Sequence, residues 1–329
     1  MKPAARVLGV ALVALAALSA DAAPRQWTVT QLPDVGAWGS WARGINNRGE
    51  VAGTTSVLDT QPHPAAWSRE GVGTDLAAGS PAQGVANTIN DEGTIAGNLA
   101  SQVYTWKDGV ATPLPIVGEP LDINKSGAVV GYFYPSGQIA MGPQRGFYYK
   151  DGAVHDIGSL GNSVVFASGL NDKGVVVGGA VLPFSSDYRG IIWQHGVGLK
   201  QLGTLGGRNS FAGDVTNRGV ILGSADDANG INHMVTWDLN GGLLHDYGPR
   251  LGGHAINDRG AIVGSQLDTG RPFLLEDGEF TWLLELPAMR AQGWVSFSPM
   301  DMNDHGWIVG IAWKPGTPRG GAALLLKPR

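Results

Sequence analysis

One short phrase, repeated seven times, constrains this chain more than anything else in it. The phrase is a hydrophobe, Asn, two polar residues, Gly, three mostly apolar residues and a second Gly. It runs Ile45-Asn46-Asn47-Arg48-Gly49 to Gly53, then Ile89-Asn90 to Gly97, Ile123-Asn124 to Gly131 and Leu170-Asn171 to Gly178. The fifth copy, Val215-Thr216 to Gly223, replaces Asn by Thr, and Ile256-Asn257 to Gly264 and Met302-Asn303 to Gly310 complete the set. The first glycines lie 44, 34, 47, 45, 41 and 46 residues apart, a period that belongs to stacked or ring-forming supersecondary units.

The first six copies carry three further signals. An apolar run follows the second glycine, as in Ala65-Ala66-Trp67, Phe147-Tyr148-Tyr149, Ile191-Ile192-Trp193 and Val235-Thr236-Trp237. A glycine turn comes next, then a short segment such as His155-Asp156-Ile157 or His245-Asp246-Tyr247. Four short strands joined by glycine turns make one propeller blade, so the expected fold is an all-β, seven-bladed β-propeller with four-stranded blades. The last copy lacks a fourth strand, while Trp27 to Leu32 precedes the first phrase and resembles one. The N-terminal strand is therefore expected to close the last blade, removing an exposed edge.

The repeats are similar to those of the HAF-repeat bacterial extracellular proteins. The carriers are Leu202-Gly203-Thr204-Leu205-Gly206-Gly207, the Ile-Asn-x-x-Gly phrase and His233-Met234-Val235-Thr236-Trp237. The likeness covers residues 27–326; its His occurs at His63 and His233 alone, and its Leu-Gly-Gly at Leu205–Gly207 and Leu251–Gly253. The resemblance implies propeller-like repeats and export, and implies no activity.

Export is also legible at the N-terminus. Lys2 and Arg6 precede an uncharged apolar run from Val7 to Leu18, and Ala20-Asp21-Ala22 offers small residues to a signal peptidase. Residues 1–22 are expected to be a signal peptide and 23–329 the propeller, in the periplasm or outside the cell. No later run is long enough to span a bilayer. With the leader gone the charge is −6, which argues against a nucleic-acid binder. The absence of cysteine removes disulfides and thiolate chemistry. A monomer is expected.

Residues present in every copy are read as builders of the fold. The Asn can bond to backbone two residues on, and the first glycine fits a turn position with φ > 0. Positions four and two before the Asn, and the Asn itself, are expected to share one strand face. The histidines are dispersed, and no nucleophile elbow, metalloprotease helix, P-loop or dinucleotide fingerprint is present.

Function is then sought in the loops that break the repeat. Aromatic and basic residues gather there: Trp38, Trp41, Tyr132, Tyr134, Arg145, Tyr188, Arg189 and Arg208. Flat rings stack on sugars or anchor protein partners, and Arg adds directed hydrogen bonds. The leading expectation is a non-enzymatic exported propeller that binds a carbohydrate or a protein. The rival is a polysaccharide hydrolase or lyase using Asp122, Asp214 and Asp301, which occupy one repeat position near the axis; a purely structural exported protein is the third reading. No cofactor is expected beyond Ca2+, for which those three acids and the Asp226-Asp227-Ala228-Asn229-Gly230 loop supply oxygens.

Overall fold

The structure, a computed structural model, describes residues 25–58, 61–137, 144–161 and 164–329. The expected leader lies outside the described residues. The described strands are antiparallel and form six sheets, arranged as a β-propeller.

Local chemistry accounts for the innermost hairpin of every repeat. In repeat one the strand Ser40–Ile45 leads through the turn at Asn46–Gly49 into Val51–Leu58. Asn46 Oδ1 accepts the backbone N–H of Arg48 and of Glu50, so one side chain satisfies two turn donors. Gly49 and its six counterparts all have φ between 73° and 88°, where a β-carbon would be strained. The second glycine has a different cause. A Cβ on Gly53 would lie 1.9 Å from the Trp41 carbonyl oxygen, and its counterparts meet the same crowding at 1.9–2.2 Å.

That crowding comes from a β-bulge in every inner strand, three residues before the Asn. The register skips Arg43, Asn87, Leu121, Ser168, Gly213, His254 and Met300. An extra residue reverses the in–out alternation beyond it. The expectation that positions −4 and −2 share a face is therefore corrected. Ala42, Ala86, Ala167 and Ala212 at −4 are wholly buried between blades, while the residues at −3 and −2 line the axial channel.

The expected seven four-stranded blades are also corrected: the structure has five. Five sheets are separate four-stranded blades, and the sixth has seven strands. Its cause is one 14-residue strand, Val110–Ile123. Its first half pairs with Gln102–Lys107 as the outer strand of repeat two, and its second half pairs with Val129–Phe133 as the inner strand of repeat three. No loop separates the two roles, so repeats two and three are one continuous sheet. The 34-residue spacing is the trace of this in the sequence.

The ring closes where the two ends of the described chain meet. Trp27–Gln31 pairs with Ala322–Pro328, which in turn pairs with Ile308–Trp313. The core lies between neighbouring sheets. Trp67 packs with Val51 of its own repeat and with Val309 and Leu325 of the last one, and Trp106 packs with Ile89 of its own repeat and with Ala52 across the next seam. These tryptophans are core, as their place in the repeat suggested.

Candidate functional site: the axial channel and its open mouth

The inner strands stack three layers of side chains around the axis. The lowest is the phrase itself. Each Asn, besides capping its own turn, donates from Nδ2 to the backbone carbonyl at the same position of the next repeat, at 2.9–3.2 Å. These bonds run 46 to 90, 124, 171 and 216, then 257 to 303 and back to 46. The link from Thr216 to Asn257 is missing: the Thr hydroxyl accepts Val220 N–H as the Asn oxygen does, but the side chain has no amide to reach the next repeat. A second ring lies beside it. The backbone N–H one residue on is accepted by the following repeat's side chain, from Asn47 to Asp91 and from Lys125 through Asp172, Asn217, Asp258 and Asp304 back to Asn47. This ring breaks at Lys125, which has no acceptor. The Asn is thus structural, as expected, and its reach across the repeat boundary is the part the sequence did not show.

Above it sit Asp122, Asp214 and Asp301, at position −2 of repeats three, five and seven. Each spends both carboxylate oxygens on backbone donors freed by the bulge. Asp122 accepts Ile123 N–H and Leu170 N–H, both at 2.7 Å, and Asp214 accepts Val215 and Ile256 at 2.7 and 2.8 Å. Asp301 accepts Met302 at 2.7 Å and, across the closure seam, Ile45 at 2.8 Å. The repeats that receive these bonds carry Gly169, Ala255 and Gly44 at −2, leaving space for the incoming carboxylate. Burial pushes Asp122 well above the usual carboxylate range, with the Asp214 charge adding to it, and pushes Asp301 up to about 6. The three are joints between repeats. Among the described residues no group of three or more acids or histidines is placed to hold a metal ion.

The third layer is the bulge residue. Arg43, Asn87, Leu121, Ser168, Gly213, His254 and Met300 border a compartment of about 140 Å3. A chain of contacts runs from Trp41, whose ring lies 5.5 Å from the Arg43 guanidinium carbon, through Arg43 Nη1 to Asn87 Oδ1 at 3.3 Å. Asn87 donates to Glu119 at 3.0 Å, and Glu119 accepts the Tyr132 hydroxyl at 2.6 Å. Burial lowers the Arg43 pKa against the opposing pull of Glu119, and burial first, then Glu119, raises that of Tyr132. His254 donates from Nδ1 to the Pro299 carbonyl at 2.6 Å.

Where the channel opens, an apolar cavity of about 270 Å3 lies between repeats one and seven, lined by Trp41, Ala42, Arg43, Ser298, Met300, Ile311 and Trp313. The same face carries exposed Trp38, Phe184, Tyr188, Ile231, Leu267 and Val295.

The rim residues singled out in the sequence divide sharply. Trp38 and Trp41 are 41% and 39% exposed on this mouth, and the Trp41 indole donates to the Gly320 carbonyl. Tyr132 meets Tyr134 and Phe166 edge-on, and Tyr134 accepts a bond from Gln144. Arg145 and Arg189 hold the entrance of a third strand instead of waiting for a ligand. Arg145 pairs with Asp156 at 2.6 Å, and Arg189 donates to the carbonyls of Tyr188 and Arg208. His63 with Asp75 and His233 with Asp246, each at 2.9 Å, occupy the same repeat position. His63, His233 and Arg145 tie the third strand to the outer strand of the same repeat, whereas Arg189 ties it to the inner strand of the next repeat through the Arg208 carbonyl. Arg208 and Tyr188 are exposed, and the Tyr188 N–H donates to Asn209 Oδ1. Asp226 and Asp227 are turn acceptors: Asp227 takes the N–H groups of Asn229 and Ile231, and Asp226 takes Asn209 and Asn232. The calcium-loop reading of this segment loses its free oxygens.

Sequence reasoning missed Arg43, Asn87, Glu119, His254, Met300 and Trp313. A signal existed: position −3 holds seven different residue types inside an otherwise repeated phrase, as a channel lining would.

No protein-family model matches the chain, and no curated protein matches it in sequence. Among solved structures it is similar to a streptogramin B lyase, at 12% identity and TM-score 0.58 over 92% of this chain and 98% of that one. It is also similar to YCF48 bound to D1 peptide, at 12% identity and TM-score 0.54 over 92% and 94% of the two chains. The β-propeller domain of the Trilobed protease from Pyrococcus furiosus matches at 10% identity and TM-score 0.52 over 74% and 81%. These likenesses show a β-propeller fold. No helix among the described residues is long and apolar enough to cross a membrane.

Proposed function

We propose that this chain is an exported, non-catalytic propeller that binds a protein partner through the face bearing Trp38, Trp41 and Met300. The observation that carries this reading is how the polar groups are spent. The acids that would serve a hydrolase or lyase, Asp122, Asp214 and Asp301, are committed to backbone donors, while the open mouth keeps exposed rings and an apolar cavity. Protein is preferred to carbohydrate because sugar hydroxyls need convergent polar partners. Tyr132, Tyr134, Arg145 and Arg189 already have theirs within the molecule. That one propeller of similar fold, YCF48, is seen with a peptide bound agrees with this choice. Export rests on the leader-like residues 1–22 and on the likeness to the HAF-repeat extracellular proteins.

Site-specific photo-crosslinking in the native host tests it. A photoreactive phenylalanine at position 38 or 184, on the mouth face, is expected to give a discrete protein adduct. The same probe at position 72 or 280, in third-to-outer hairpins on the opposite face, is expected to give none. Equal adducts from both faces, or none from either, would refute the assignment.

A further inference from the structure

Resting on that reading, we infer that the cavity between Trp41 and Trp313 seats the C-terminal residue of a peptide. Its aromatic or long aliphatic side chain fills the cavity, and its terminal carboxylate is held by Arg43.

Two independent features meet at this point. The first is the cavity, about 270 Å3, with walls that are apolar apart from Arg43 and Ser298. That volume suits one phenyl, indole or leucyl group, and the near-absence of polar atoms disfavours a sugar ring. Trp41 and Met300, each 39% exposed, leave it open at the mouth.

The second is the unspent chemistry of Arg43, which borders both this cavity and the channel compartment. Its guanidinium presents five donors in a flat fork that matches a carboxylate. Among the described residues its Nη1 reaches only the neutral Asn87 amide at 3.3 Å, and its Nε is buried with no acceptor. Glu119, the acid nearest in the network, is already occupied by Asn87 and Tyr132. A partly buried cation with unmet donors is costly unless an anion completes it. The site therefore lacks a carboxylate beside an apolar group. An internal peptide residue brings no charge, and Asp or Glu brings charge without the apolar group. A C-terminal Phe, Trp, Leu or Met supplies both from one residue.

Titration calorimetry on the purified exported protein tests the pairing. The probes are acetyl-Gly-Ser-Gly-Phe with a free carboxylate, the same peptide as its C-terminal amide, a free-acid version ending in Ser, and 3-phenylpropionate. The Phe acid is expected to bind saturably, with the amide and the Ser peptide each at least tenfold weaker. Arg43→Gln should abolish the discrimination between acid and amide. Ser298→Phe, which fills the cavity while keeping the arginine, should abolish binding of the Phe acid, with urea midpoints confirming that both variants fold. Equal binding of acid and amide, discrimination that survives in Arg43→Gln, or no saturable binding at millimolar peptide would each overturn the inference. So would 3-phenylpropionate binding as tightly as the peptide, which would make the occupant a small aromatic acid. Cross-links from position 38 that persist while every peptide fails would refute the cavity and leave the proposed function standing.

Discussion

Asp301 stands where the ring closes, and its charge state should be visible in the stability of the whole protein. Its carboxylate links the last repeat to the first through Ile45 N–H at 2.8 Å. Burial raises its pKa from 3.8 to about 6 in the folded protein, with Asp214 adding repulsion. The folded state therefore holds this proton to higher pH than the unfolded chain does. The resulting stabilisation is fully present below about pH 4 and is lost as pH rises through about 6, on the order of 3 kcal/mol in all. Asp122 and Asp214 are shifted the same way and steepen the trend. In Asp301→Asn the titration disappears, but the amide NH2 faces one of the two backbone donors, at a cost of about 1–3 kcal/mol. The variant should be less stable than the parent at pH 4.5, and the gap should close by about 2 kcal/mol between pH 4.5 and 7.5. Urea unfolding followed by circular dichroism at four pH values between 4.5 and 7.5 measures this, and the difference between the two proteins cancels the carboxylates that do not interact with Asp301. Parallel curves, separated by a constant amount, would refute the account of Asp301 as a buried, proton-holding joint.

Three further outcomes are expected. Thr216→Asn should supply the missing donor to the Asn257 carbonyl and stabilise the protein by about 0.5–1.5 kcal/mol; a lower urea midpoint would mean that the ring is interrupted there for another reason. Asp75→Ala should leave His63, 3% exposed, without its partner and cost about 1–3 kcal/mol, and a double-mutant cycle with His63→Ala should return a coupling of similar sign. N-terminal sequencing of the protein recovered outside the cytoplasm should begin within a residue or two of Ala23, and a full-length cytoplasmic product would refute export.

Much of this architecture is written locally. Asn46 and its counterparts bond to backbone two and four residues away, and Gly49 and its counterparts need φ > 0, so each turn is specified by residues adjacent in the chain. Those constraints recur every 34–47 residues and therefore announce a ring of β-hairpins. The strand at Trp27, standing before the first phrase, announces how the ring is closed. The site was less legible. Trp38 and Trp41 interrupt the repeat in sequence and stand exposed at the mouth, but Arg145 and Arg189 look the same on paper and are strand clamps. Their partners, Asp156 and the Arg208 carbonyl, are brought to them only by folding.

The sequence by itself determined the repeat, the turns and the propeller class, because each rests on contacts within a few residues. Tertiary structure decided the rest. Whether Val110–Ile123 would be two strands or one, and so whether the repeats would stand as separate blades, depended on which neighbours its two halves hydrogen-bonded. Whether Asp301 would be a catalytic acid or a joint depended on Ile45, 256 positions away in the chain. Above all, the bulge at Arg43 depends on register against a partner strand, and one extra residue there turns a side chain that strict alternation would bury towards the channel. No periodicity in a single strand contains that information, because the bulge is a property of the pair.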